Sequence, residues 1–69
     1  MNFAKFEQVE QGHIYNPYAG KINETWMEGT ISVDFLQENF GDCKTLDECI
    51  ESTDSEGLKL FFEYLKAQQ

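Results

Sequence analysis

No arginine occurs anywhere in these 69 residues, and there is one histidine, one proline and two cysteines. Each shortage excludes something. Arginine is the favoured side chain for bidentate contacts to phosphate and guanine. Its absence, with thirteen acids against five lysines and a net charge of −8, argues against direct binding to nucleic acid. An anionic membrane surface is disfavoured for the same reason. No apolar run approaches a transmembrane helix or a signal h-region, so a cytoplasmic location is expected. In that setting Cys43 and Cys49 are expected to be free thiols. A single histidine and no glycine-rich phosphate loop leave little from which to build an active site, so the chain reads as non-enzymatic.

What is present points to a folded domain. The sequence is 41% hydrophobic and 14% aromatic, whereas a disordered acidic tail would be poor in aromatics. Residues 1–69 read as one domain without repeat or linker. So short a chain buries a smaller share of its surface than a typical domain.

The charge is uneven. Residues 1–33 hold four acids and two lysines, a net −2, while residues 34–69 hold nine acids and three lysines, a net −6. Between residues 34 and 56 eight acids are interrupted only by Lys44, a net −7. A basic partner would be steered to that half.

Residues 1–36 read mainly as strand and loop, and 37–69 mainly as helix. Segments 22–27 and 30–36 flank Glu28-Gly29, a hairpin signal, and Ile31, Val33 and Phe35 alternate with Ser32 and Asp34 as in a half-buried strand. Residues 2–11 fit a strand that carries Phe3, Lys5, Glu7 and Val9 on one face. They also fit a short helix capped by Asn2, with Phe3 and Phe6 three apart, and stopped by Gly12, and the strand is preferred. HIYNPYAG, with Asn16-Pro17 and Gly20, reads as a turn-rich loop. Helical turns are expected from Phe35 to Phe40 up to Gly41, then a short helix from Thr45 and a long one from Thr53 to about residue 67. The fold class is therefore α+β: a small antiparallel sheet of two or three strands packed against two or three C-terminal helices.

The stretch CKTLDECIESTDSEG, residues 43–57, concentrates both cysteines and five acids. Thr45 with Glu48, and Thr53 with Glu56, fit capping boxes, in which the threonine oxygen accepts an amide proton and the glutamate reaches back. Acids there also sit at the positive end of a helix dipole. With Gly57 set on the glycine of a calcium-binding EF-hand loop, Ser52, Asp54, Glu56 and Glu63 fall at its first, third, fifth and twelfth places. The likeness fails at Ser52, which should be a carboxylate, and at Lys59, which should be apolar. Two thiols do not make a zinc site, which takes four ligands. If Cys43 precedes the helix, a bridge to Cys49 is geometrically possible, but both read more simply as small core thiols. Pairing of Cys49 with His13 as nucleophile and base has no supporting motif. No catalytic residue, metal or cofactor is expected.

Leu58, Phe61, Phe62 and Leu65 form a core stripe on the long helix, and Leu60 and Tyr64 a second apolar row. Together they cover more of the wheel than a surface helix buries, so the helix is central or its flank meets a second chain, making a homodimer a candidate. Tyr15, Tyr18 and Trp26 are candidates for an aromatic interface, although such rings can equally complete a small core.

Two functions are therefore expected to compete. In the first, a small acidic protein docks Asp34, Glu38, Asp42, Asp47, Glu48, Glu51, Asp54 and Glu56 onto a basic protein or nucleoprotein complex, its carboxylates standing in for phosphates. In type, though not by family, such a domain looks like the inhibitors carried by phages and mobile elements. In the second, a homo-oligomeric or adaptor module binds through its apolar and aromatic surface, and the acidity only aids solubility.

Overall fold

A computed structural model describes residues 1–18 and 29–68. Two antiparallel strands, β1 (His13–Asn16) and β2 (Gly29–Ser32), precede three helices, α1 (Val33–Phe40), α2 (Leu46–Ser52) and α3 (Glu56–Ala67). The α+β expectation holds. The first apolar segment, however, is neither the preferred strand nor a full helix. Phe3–Lys5 make a single 3-10 turn, and the Asn2 side chain caps it by accepting from the Ala4 amide at 3.0 Å. Phe3 is sealed in the core, and its amide donates to Gln37 Oε1 at 2.6 Å. One side chain of α1 thus ties down the start of the chain.

HIYNPYAG was expected as loop, yet His13–Asn16 of it is strand. The preceding turn explains why. Val9 donates to the His13 carbonyl at 3.0 Å, and the His13 amide donates to Glu10 at 2.9 Å. Gly12, at φ +81°, supplies the positive angle that this reversal requires. Ile14 and Asn16 then point inward while Tyr15 points out. The strand ends before Pro17, which has no amide proton for a ladder, and the Asn16 side chain closes the exit by accepting from the Tyr18 amide at 3.0 Å.

β2 is shorter than the expected strand at 30–36. Its register sets Ile14 against Ile31 and Tyr15 against Thr30. Helix replaces strand at Val33 because the Ser32 hydroxyl accepts from the Phe35 amide and caps α1. Val33, Leu36 and Phe40 bury one helical face, and Phe35, expected to alternate inward, is 42% exposed. The helical half therefore begins at residue 33 rather than 37. Segment 22–27 and Trp26 lie outside the described residues, and the described partner of β2 is β1.

The core stripe of α3 is as expected: Leu58, Phe61, Phe62 and Leu65 are all buried. Phe62 is the hub, with ring centroids 5.0 Å from Phe40, 5.7 Å from Phe61 and 6.2 Å from Phe3. It joins the chain's first turn to α1 and α3. Leu46 and Cys49 of α2 complete the same cluster. Among the described residues no helix is long and apolar enough to cross a membrane.

Candidate interaction surface

α2 starts where its sequence says it should. The Thr45 hydroxyl accepts from the Glu48 amide at 3.2 Å. The reciprocal arm differs from a standard box, because the Glu48 carboxylate takes the Lys44 amide, one residue ahead of the cap. The second expected box does not form. Ser55, not Thr53, caps α3 and accepts from the Leu58 amide at 3.3 Å. Thr53 is extended at the end of α2 and largely buried, and its hydroxyl accepts from the Ser55 amide at 3.1 Å. The chain needs residues 53–55 to turn from α2 into α3, so the helix cannot begin two residues earlier. Gly57 to Glu63 run as continuous helix, which leaves no calcium loop over 52–63.

All eight acids of 34–56 are exposed. The fold does not fuse them into one cluster. Asp42, Glu48 and Glu51 line one shallow groove with Cys43 and Ser52. Asp47 lies on the other side of α2, beside Ile50, Glu63 and Lys66, and its carboxylate accepts from the Lys66 ammonium at 2.5 Å. That bond holds the lysine above its ordinary pKa. Asp34 lies in the first turn of α1 and Glu56 in that of α3, where the helix dipole favours them. Glu38 follows Asp34 by one turn of α1, and Asp54 precedes the Ser55 cap. No trio of His, Cys, Asp or Glu among the described residues is arranged to hold a metal ion.

Both cysteines are free thiols. Cys49 has no exposed surface. Burial pushes its thiol from 9.0 up to about 12, helped by a hydrogen bond with Cys43 and by that neighbour's charge. Cys43 is half-buried, with its sulfur 3.8 Å from the Ser52 hydroxyl. His13 is elsewhere, on β1, with Nδ1 3.5 Å from Glu10 and 3.1 Å from the Gln11 carbonyl.

The aromatic candidates do converge. The Tyr64 ring meets Tyr15 edge-on at 6.3 Å and Tyr18 edge-on at 6.4 Å. The second apolar row of α3 is therefore partly covered by the protein's own β1 and the turn after it. Leu60 stays half-exposed. Beside Tyr15 and Tyr64, a groove also takes in Phe6 and Val9, which sequence reading did not single out. Val9 is 56% and Tyr15 46% exposed. The signal for Val9 was Gln11-Gly12: a turn there folds Val9 back alongside His13.

Tyr64 and Lys66 leave α3 on opposite flanks, about 200° apart at 100° per residue. The tyrosine groove and the α2 carboxylates are thus separate surfaces. No protein-family model, no curated protein and no solved structure matches the chain.

Proposed function

We propose that this protein is a non-enzymatic, acidic binding domain that docks its helical half onto a basic protein or nucleoprotein complex. The observation that carries the reading is the exposure of every carboxylate from Asp34 to Glu56, of which only Asp47 is in a described ion pair, with Lys66. Caps and dipoles account for Asp34, Glu48 and Glu56. They do not account for Asp42 and Glu51, whose side chains make no hydrogen bond or ion pair among the described residues. These two face the partner in this reading, in the manner of phosphates on a nucleic-acid backbone, and an inhibitor that occupies a nucleic-acid-binding surface would work this way.

Asp42→Lys with Glu51→Lys is the perturbation of choice, because it spares every cap. The wild type should retain a basic protein from its native host at low salt and release it at moderate salt, and the double variant should not retain it. Binding indifferent to salt and to both reversals would sink the proposal.

A second reading rests on the Tyr15, Tyr18 and Tyr64 cluster with its exposed neighbour Val9. In that reading the module self-associates or acts as an adaptor through aromatic surface. Sedimentation decides it: a dimer dissociated by Val9→Glu or Leu60→Glu, and insensitive to the acid reversals, would favour the second reading.

A further inference from the structure

The start of α2 brings the two thiols together. Thr45 is the cap, so Cys43 stands two residues before it and Cys49 is the fourth residue of the helix. Cys43 packs against the core cluster that contains Cys49, and the two thiols are near enough to interact directly. The Cys43 sulfur lies 3.8 Å from Ser52 Oγ, and that hydroxyl in turn donates to the Cys49 carbonyl at 3.0 Å. The two thiols also differ in access. Cys43 opens onto the groove of Asp42, Glu48 and Glu51, whereas Cys49 sits behind it with no exposed surface.

We propose that Cys43 and Cys49 are the site of a reversible intramolecular disulfide, with Cys43 the thiol that meets the oxidant and Cys49 the thiol that resolves it. An accessible sulfur backed by a second one is the arrangement that favours ring closure over further oxidation. With hydrogen peroxide as oxidant, the Cys43 sulfur attacks one peroxide oxygen. An S–O bond forms, the O–O bond breaks, and the thiol proton leaves with the departing hydroxide as water. The Cys49 sulfur then attacks the sulfenic sulfur of Cys43. The S–S bond forms, the S–O bond breaks, and hydroxide takes the Cys49 proton as a second water. Each sulfur gives up one electron and the peroxide accepts two. The groove's carboxylates favour a neutral oxidant such as peroxide over an anionic disulfide such as oxidised glutathione.

The test uses the whole chain, reduced and then treated with hydrogen peroxide, with intact mass, thiol alkylation after unfolding and an amide NMR spectrum as readouts. The expected product is a folded monomer lighter by two hydrogens, with no alkylatable thiol and shifts confined to residues around 40–53. Dithiothreitol should restore both thiols. Cys43→Ser, a change in the loop before α2, should keep its spectrum and leave Cys49 reduced under the same treatment. Four results would overturn the proposal: Cys43 sulfinic acid beside an intact Cys49, a dimer linked through Cys43, thiols that stay reduced, or a bridged product that is unfolded.

Discussion

Alkali should destabilise this protein through one buried thiol. Cys49 is fully enclosed, and its thiolate would sit in the apolar cluster with Leu46 and Phe61. In the unfolded chain the thiol ionises near 9.0, and in the fold only near 12. Between those values the unfolded state binds fewer protons than the folded one, so stability falls as pH rises, by about 1.4 kcal/mol per pH unit. From about pH 9 to about pH 11 the loss should be about 2 kcal/mol, and it is complete, at about 4 kcal/mol, only above both values. The quantity to measure is a difference, so that every contribution other than Cys49 cancels. Urea unfolding of the wild type and of Cys49→Ala, both kept reduced, supplies it. Below pH 9 the variant should be weaker by a constant amount, the lost sulfur contacts. Above pH 9 the wild type's advantage should shrink and then reverse. Two stability curves that stay parallel to pH 11 would refute the burial argument, and with it the assignment of Cys43 rather than Cys49 as the entry thiol.

Phe62→Ala should cost about 3–5 kcal/mol. At about 0.05–0.15 kcal/mol per residue for the whole fold, that removes much or all of the stability, visible as a lost thermal transition in circular dichroism. Ser55→Ala should cost about 1 kcal/mol through the α3 cap. Thr53→Ser, which keeps the hydroxyl that Ser55 needs, should cost less in the same urea titration, and the reverse order would restore Thr53 as the cap. Gly12→Ala should cost about 1–2 kcal/mol from backbone strain alone, because a Cβ there meets nothing within 4 Å. A thermal midpoint equal to wild type would place the turn's angle elsewhere.

The second half of the fold was more legible than the first, for a physical reason. Helices are local. The i, i+3, i+4, i+7 stripe of α3 and the Thr45 cap of α2 contain most of what decides them, and both appear as read, although Glu48 reaches the Lys44 amide instead of the cap's own. The errors fell where two local patterns were both satisfied. Ile31, Val33 and Phe35 alternate like a strand, while Val33, Leu36 and Phe40 recur like a helix. Only the packing against Phe3 and Phe62 shows that the second wins. Thr53 and Ser55 can both cap, and the length of the turn out of α2 chooses between them. β1 was missed because a four-residue strand flanked by Gly12 and Pro17 has the composition of a loop. It becomes a strand only when paired with β2, more than a dozen residues later.

For the candidate surface the division is similar. The sequence alone determined the charge surplus of residues 34–56, the want of arginine and the composition of the core, since none of these depends on where the chain goes. Tertiary structure decided which acids share a groove, that Asp47 is diverted to Lys66, and that Tyr64 is met by Tyr15 and Tyr18 of the same chain. It also decided that Cys43 packs against the cluster that holds Cys49. These are contacts between residues whose separation along the chain says little about their distance. They exist because α2 and β1 must both lie against α3 to bury one small shared core.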